Sequence, residues 1–529
     1  MGNEIIQPSV SLSLVSASLS VSNAEQKILV VGQMGAAGTA TDAALVPNIG
    51  NSGEENALFQ RDSHLAEMIR SIKRVAPQVQ VDAIALDDPG GTAAAYTITL
   101  TGGASESGTI ALVAGSEKNH KTSAIITSGE TITASAVKIA AAINADLDAP
   151  FTAVAAIGVI TLTAVNDGTV GNSMPVGAVP SGAFAGTIAG LTVAVAQSVT
   201  GSGDPTDLGT SAIFDVVGNT RYQGVVCPYV SSAGMVSAWL DTRFNVNNRI
   251  VDGVAFVPYT NTFSSIETAA LALNSKSLVI FADEATGVAT GETQYEGPAM
   301  PESPHVTVAA FAALRALRLT TDASLSQYLT TTASRDQFGG AALATLPYFN
   351  STIPSLPITR TGAGFTDLEI ESLITAGAAV LGQNSAGTGN LVGEVPTTYK
   401  TDAAVNADIS WKFLNYVDTM SQVREYYFNN YKSRFAQSRL TEGIVLRGRD
   451  MVNRAVFEAY TDQLYGDLSG SDFVLLQAGQ VAVDFFKANR TVVLDLALGK
   501  VTVTMLVPIV TQTRQIIGTI QIAFSTEES

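Results

Sequence analysis

The chain has 529 residues, of which 46% are hydrophobic and 14% are charged, and its formal net charge is −18. This length predicts several domains, and the acidic balance argues against broad nucleic-acid binding, which needs positive charge to attract phosphates. The single cysteine, Cys227, excludes internal disulfides and cysteine-based zinc sites, and no apolar run is long enough for a transmembrane helix, so we expect neither cofactors nor membrane insertion.

The first predicted element is a strand over residues 9–22, where apolar residues alternate with serine. Alternation is typical of a strand with one buried face, and a slip after Leu14 moves that face to the other side. No turn joins this strand to the next, so its backbone needs a partner from elsewhere. We expect the two terminal arms, 1–26 and 510–529, to pair with neighbouring copies of the chain, unless they only edge the protein's own sheet. The apolar positions concerned are Val10, Leu12, Leu14, Leu19, Val21, Ile516, Ile520, Ile522 and Phe524.

Residues 27–87 predict the start of an α/β core. A buried strand over 27–35 is followed by a helix over 63–77, which Ser63 can cap, and by a second strand over 79–87. The helix carries an apolar stripe at helical spacing, which indicates the face that packs on the core. The stripe consists of Leu65, Met68, Ile69 and Ile72.

Residues 88–203 differ in composition, being rich in Ala, Gly, Thr and Ser and poor in charge. They predict one helix, over 134–147, among short strands, and therefore an inserted, mostly β domain with its own small core. Because both ends join the same core, we expect them to lie close together, and we expect this domain to fold alone, on the outside of an assembly that does not need it. The predicted strands are 94–102, 108–115, 151–157, 158–165 and 191–198.

Residues 204–390 return to alternating helices and strands, which predicts a parallel or mixed sheet that completes the interrupted core. Residues 391–509 predict an α+β C-terminal domain with a long helix over 410–435, a helix over 448–466 and a strand hairpin starting at 490. The elements predicted in 204–390 are helices over 232–244, 264–274, 301–322 and 366–382, the last with Leu368, Leu373, Ile374 and Ala378 inward, and strands over 253–259 and 277–284.

Two motifs look catalytic but lack the rest of the site that they need. A Gly-x-x-Gly-x-x-Gly run follows the first strand, but its spacing is not that of the dinucleotide-binding fingerprint. Ser211 lies in a Gly-Thr-Ser segment like that of subtilisin-like proteases, but neither histidine before it, His64 or His120, has suitable surroundings for a triad. These two and His305 are far apart in the sequence, which argues against a histidine metal site. We therefore expect no enzyme activity.

Three groups of segments carry a family resemblance. They are 92–115 with 135–172, then 213–244, and then 395–435 with 511–524. In this combination and order they resemble the tail sheath proteins of contractile-tailed bacteriophages, of the Mu type. Together they span most of the chain.

The resemblance implies a subtilisin-like α/β core, made of 27–87 with 204–390, that lacks a working catalytic triad. It implies a virion protein, assembled in the host cytoplasm, that stacks as hexameric rings around a tail tube and contracts to drive the tube through the host envelope. The tail tube protein, the baseplate and the tail terminator proteins would be its partners. The inserted domain would face outward, and the C-terminal domain, 391–509, would face the tube.

The long helix of the C-terminal domain is the expected tube contact, because 400–460 is the one region that escapes the overall acidity. The residues concerned are Arg424, Lys432 and Arg434. The alternative is a solvated helix face with intrahelical pairs such as Asp418 with Arg424.

Other functions fit parts of the sequence. The sheath of a phage-like bacteriocin or contractile injection particle belongs to the same class, and the sequence barely separates it from a phage sheath. A surface adhesin would suit the Thr- and Ala-rich inserted domain, but it predicts a secretion signal that the N-terminus lacks. A catalytically dead subtilisin-like protein is the third alternative.

Overall fold

The computed structural model describes most of the chain between the two terminal arms. The arm residues predicted from the sequence, including Val10 and Phe524, lie outside the described residues. Those residues are 26–50, 53–178, 188–244, 249–285, 294–321, 353, 355–360, 364–383, 390–445, 450–470 and 475–510.

Residues 26–86 form the first part of an α/β unit, as the sequence predicts. The elements are β1 (Lys27–Gln33), β2 (Leu45–Val46), α1 (Glu54–Phe59), α2 (His64–Val75) and β3 (Gln80–Leu86). Ser63 caps α2, with its hydroxyl accepting a bond from the Ala66 amide at 3.3 Å. The predicted apolar stripe of α2 is fully buried, which explains why this helix forms here.

The inserted range folds mostly as β structure around one helix. Its elements are β4 (Ala93–Gly102), β5 (Gly108–Ala114), β6 (Lys121–Ile126), α3 (Ile132–Asn144), β7 (Phe151–Ala156), β8 (Val159–Asp167), β9 (Val176–Ala178) and β10 (Leu191–Val199). The sequence did not predict β6 or β9, since the first follows a polar run and the second has three residues. The two ends meet as expected, because the Thr92 amide donates to the Ser202 carbonyl at 2.8 Å and the reverse bond is 3.0 Å long.

The next part of the chain restores the α/β alternation. Its elements are β11 (Gly224–Val226), α4 (Ala233–Phe244), β12 (Val254–Asn261), α5 (Phe263–Leu271), β13 (Leu278–Glu284), β14 (Tyr295–Glu296), α6 (Pro304–Thr321), α7 (Asp367–Ala376), β15 (Ala378–Gln383) and β16 (Asn390–Val392). The helix predicted over 366–382 is too long: Gly377 adopts φ 99° and ends α7. Ala378 therefore begins β15, and its predicted place on the helix is wrong.

The central sheet has eight strands in the order β16-β15-β13-β12-β11-β1-β3-β2. Its middle pairs are parallel and its two outermost pairs antiparallel, which confirms the predicted mixed sheet that resumes after the insertion. Helices α2 and α6 pack on the face that carries Ile28 and Val30. Helices α4, α5 and α7 pack on the face that carries Leu29 and Val31.

The inserted domain shares its interior with the core. It forms two antiparallel four-stranded sheets, ordered β10-β4-β8-β7 and β14-β9-β5-β6. Strand β14 comes from the range assigned to the core, and Tyr295 and Glu296 pair with Gly177 and Val176 of β9. One buried apolar cluster also runs from Leu29 into the strands of the inserted range. A domain boundary at residue 203 therefore does not separate the sheets of the inserted domain from the core, because β14 lies beyond it. Independent folding of 88–203 stays a prediction.

The C-terminal part contains helices and a separate hairpin. Its elements are α8 (Leu414–Phe435), β17 (Arg439–Leu440), β18 (Met451–Val452), α9 (Arg454–Ser469), α10 (Gln480–Ala488), β19 (Thr491–Asp495) and β20 (Lys500–Thr504). The helix predicted over 448–466 begins later, at the Asn453 cap, whose side chain accepts from the Val456 amide at 3.1 Å. The sequence missed α10, because Val481, Val483 and Phe485 also alternate like a strand.

Candidate functional site

Helix α8 links the α/β core to the C-terminal part. Leu414 and Val417, in its first turn, are buried in the same apolar cluster as α6. Val423 and Tyr427, further along, are buried in a different cluster, with α9 and α10. One helix therefore belongs to two hydrophobic cores, which fixes its position in both.

Aromatic side chains on the second half of α8 form the contact with α9. Tyr427, Tyr431 and Phe435 are spaced four residues apart and so share one face of the helix. The ring centroid of Phe435 lies 4.2 Å from that of Phe457 and 5.2 Å from that of Tyr460. The aromatic density of this helix is thus explained by its packing on α9.

Buried ion pairs reinforce the link between α8 and the core. The Arg315 guanidinium of α6 donates to both carboxylate oxygens of Asp418, with Nε at 3.2 Å from Oδ2. Both side chains are at most 5% exposed. Arg221 adds contacts at 2.7 Å to Glu425 and 3.1 Å to Asp252. Charges in the interior must be paired, so these residues set the register of α8 against the sheet.

The three basic residues predicted as a tube contact are not equivalent. Arg424 faces the core, donating to the Phe244 carbonyl at 2.6 Å and to Asp252 at 3.4 Å. Its guanidinium carbon also lies 4.0 Å from the centroid of the Phe244 ring. Lys432 and Arg434 are exposed in the last turn of α8. The structure therefore leaves only these two facing solvent.

The intrahelical pair considered from the sequence does not form. Asp418 binds Arg315, and Arg424 binds Asp252. Neither pairing is visible in the sequence, because both partners come from distant parts of the chain.

The hairpin of β19 and β20 is a two-stranded sheet with one buried face. Val492 is buried, and Leu494, Val501 and Val503 pack beside it against residues of α9 and β18. The other face is exposed, as Val493 shows. Within the described ranges, neither strand has a partner on its outer edge. Such edges present free backbone donors and acceptors to any strand that approaches.

The chain is held in place up to the point where the C-terminal arm begins. The Gln477 amide donates to the Pro508 carbonyl, and the Val510 amide donates to the Leu475 carbonyl, both at 3.0 Å. Leu475 and Leu476 are buried in the cluster that contains Tyr427. The arm therefore starts from a fixed point on the C-terminal part.

The fold does not assemble the catalytic groups that the sequence brought into question. Ser211 is exposed and begins a 3₁₀ segment, Ser211–Val217. The three histidines, by contrast, are brought together although they are far apart in the sequence: the rings of His64 and His305 are 5.1 Å apart, and both His120 and His305 bind Glu67. All three are buried.

The part of the chain that the structure describes has neither a membrane-spanning helix nor a metal-binding cluster. There, no helix has the length and apolar character needed to cross a bilayer. Nor do the described residues contain a group of three or more His, Cys, Asp or Glu side chains arranged to hold a metal ion.

Structural neighbours are distant. The sheath tail protein Lin1278 from Listeria innocua is 10% identical, with a TM-score of 0.43 over 93% of both chains. A chain of the contracted anti-feeding prophage baseplate is 10% identical, with a TM-score of 0.44 over 98% of this chain and 99% of its own. A chain of the contracted anti-feeding prophage helical sheath is 9% identical, with a TM-score of 0.43 over 99% of this chain and 100% of its own.

Sequence comparison gives a nearer relative. No protein-family model matches the chain. Over 150 residues it is 35% identical to the Mu-like prophage FluMu tail sheath protein of Haemophilus influenzae. The match covers 28% of this chain and spans only 30% of the length of that relative. Over that stretch, it confirms the resemblance to Mu-type tail sheath proteins that the sequence indicates.

Proposed function

We propose that this protein is the sheath subunit of a contractile phage tail, which polymerises as stacked hexameric rings around a tail tube and contracts to drive the tube through the host envelope. The match to a tail sheath protein supports this most directly. Baseplate, tail terminator and tail tube proteins are its proposed partners. In this proposal, the energy for contraction is stored in the assembled lattice of subunits.

Strand addition is the proposed means of polymerisation. Among the described residues, neither edge of the β19–β20 hairpin has a strand partner, and a two-stranded sheet alone is marginally stable in water. Each terminal arm carries the alternation of a strand with one apolar face. Arms from neighbouring subunits would extend the hairpin on both sides and bury its exposed backbone groups. Main-chain bonds of this kind persist while the linked subunits rotate.

Negative-stain electron microscopy of the purified protein tests the proposed function. We expect long striated tubes, because the hairpin edges and the arms are present in every copy and the contact can repeat without limit. A preparation that stays monomeric at high protein concentration, while remaining folded, would contradict the assignment.

Lys432 and Arg434 are the proposed contact with the tube. Both are exposed in the last turn of α8 in a strongly acidic chain, so they offer a local positive site. The alternative to a tube contact is that these positive side chains only stabilise α8, through a favourable interaction with its C-terminus. Replacing both by Glu should weaken binding to tail tubes at low salt, where surface charges are least screened, and co-sedimentation measures it.

The control for this experiment has the same change in charge. Lys118 and Lys121 are exposed in the inserted domain, which we propose lies on the outside. Lys118→Glu with Lys121→Glu should leave tube binding unchanged. Equal binding by both double variants would remove Lys432 and Arg434 from the contact.

A further inference from the structure

The junction between the inserted domain and the α/β core contains all three histidines of the chain. His64 and Glu67 lie in the first turn of α2, and His305 lies in the first turn of α6. His120 comes from the inserted domain, just before β6. The side chains of Glu67, His120 and His305 are at most 6% exposed.

Glu67 is shared between the two sides of the junction. Its Oε2 lies 2.7 Å from Nε2 of His305, and its Oε1 lies 3.3 Å from Nε2 of His120. The other ring nitrogen of His120 lies 2.9 Å from Asp146, which follows α3 in the inserted domain. His120 therefore bridges an acid of the core and an acid of its own domain.

Glu302 forms a second contact across the same junction. It lies just before Ser303 and α6, and its carboxyl group accepts from the Ser116 hydroxyl of the inserted domain at 2.7 Å. Asn119, also from that domain, approaches the same oxygen at 3.4 Å. Nearby, the Ser303 hydroxyl donates to the Gly115 carbonyl at 2.7 Å. All of these contacts tie one short loop, 115–120, to the residues just before α6.

The remaining charges around the cluster lie at its rim. Asp148 accepts from Arg61 at 2.7 Å and lies 3.6 Å from Arg70. Within the cluster, neither ring nitrogen of His64 has a hydrogen-bond partner among the described residues. Burial lowers the pKa of His64 to about 3, so this ring stays neutral over the ordinary pH range.

We propose that this cluster is a proton-operated latch between the inserted domain and the core, closed while His120 and Glu302 are protonated and opened in mildly alkaline solution when both lose their protons. The latch rests on contacts within one chain and is independent of the proposed function. When it opens, an acid at position 302 is left charged beside Glu67, and His120 no longer neutralises the two acids that it bridges. Repulsion between Glu67 and Asp146 then acts across the junction. Repulsion between Glu302 and Glu67 displaces the residues before α6 to which loop 115–120 is bonded.

The direction of the pH effect follows from the shifts of the two groups. Burial opposes the charge on His120, but hydrogen bonds with Asp146 and Glu67 outweigh it and raise its pKa to about 9. Its contribution is fully present below the unfolded pKa of 6.5 and is lost as the pH rises through about 9. Burial raises the pKa of Glu302 to about 8, so its neutral form is favoured and that contribution is lost through about pH 8.

The acids that bind His120 do not titrate in this window. Burial opposes ionisation of Glu67, but His305 and His120 hold its pKa well below its usual range. Asp146 likewise has a lowered pKa, because its bond with His120 outweighs its partial burial. Both stay charged, so the alkaline transition belongs to His120 and Glu302.

Hydrogen exchange of the full chain, corrected for the intrinsic pH dependence of the rate, tests the latch. Between about pH 7 and about pH 10 the junction amides, such as that of Glu117 bonded to the Pro301 carbonyl, should lose protection on the order of a hundredfold or more, because the contribution of Glu302 is lost through about pH 8 and that of His120 through about pH 9. Amides of β12 in the core should keep theirs. Loss of protection at both places together would mean global unfolding and would overturn the latch.

Substitutions separate the latch from general alkaline instability. Glu302→Gln keeps a neutral hydrogen-bonding group that cannot ionise, so opening should move to higher pH. His120→Asn removes the charge, so the junction should already be less protected at about pH 7 and should respond less to alkali. Lys138→Gln, which removes an exposed pair with Glu130 in the same domain, is the control and should behave as wild type. A wild-type pH profile for Glu302→Gln would overturn the proposal even if His120→Asn failed to fold.

Discussion

Removal of residues 1–22 should leave a folded, monomeric protein that forms no tubes. The deleted residues precede the first strand of the core, β1, so every described strand of the central sheet is retained. What is lost is the alternating stretch 9–22, which we propose extends the hairpin of a neighbouring subunit. Each added strand would contribute several main-chain hydrogen bonds and bury one apolar face. We therefore expect that no weaker contact between subunits compensates for the loss of the arm. Circular dichroism measures folding, and electron microscopy with light scattering measures assembly.

A shorter truncation is the matched control. Deleting residues 2–8 leaves the alternating stretch intact and should leave tube formation intact. Normal polymerisation of the longer truncation would show that the N-terminal arm does not join subunits. Loss of assembly in both truncations would show that the alternation is not the cause.

Arg315→Ala should lower the free energy of unfolding of the part held by α8 by about 3–5 kcal/mol, because Asp418 would remain as a buried charge without its guanidinium partner. Arg315 also donates to the Gln223 carbonyl at 2.7 Å, which would lose that donor. Urea unfolding followed by circular dichroism measures the loss. The substitution acts where α6 meets α8, so the transition of the C-terminal part should move most.

An exposed pair on α9 gives the comparison. Arg454 binds Glu458 one turn away at 2.8 Å, but its side chain is 66% exposed. Arg454→Ala should change the free energy of unfolding by about 0.5 kcal/mol or less. A second comparison replaces Arg315 and Asp418 together by apolar residues, which should recover much of the loss. Similar losses for Arg315→Ala and Arg454→Ala would show that the buried pair does not hold α8.

The sequence predicts well those elements whose buried face follows from the local spacing of apolar residues. The stripe of α2 and the runs that form β1, β12 and β13 follow directly from periodicity. The end of α7 was missed because AAVLG continues an apolar pattern that fits a helix or a strand, and Gly377 decides between them. Local spacing also could not show that β14 joins the inserted domain.

The candidate site divides in the same way. The alternation of the arms is visible in the sequence, but the open hairpin edges emerge only from strand pairing. Charge counts picked out Arg424 with Lys432 and Arg434, yet a count cannot tell which face of a helix meets the core. The histidine cluster had no signal at all, since residues 64, 120 and 305 meet only through the packing of α2, α6 and the inserted domain.

The pairing of β14 with β9 sets an order for folding while the protein is synthesised on the ribosome. The inserted domain is synthesised first, but its second sheet stays incomplete until residues 295–296 have emerged and paired with β9. Until then β9 has an open edge, the kind of feature that recruits foreign strands. Nascent chains that stop between 204 and 294 therefore carry an unfinished sheet, and they are the species on which chaperones and proteases should act first.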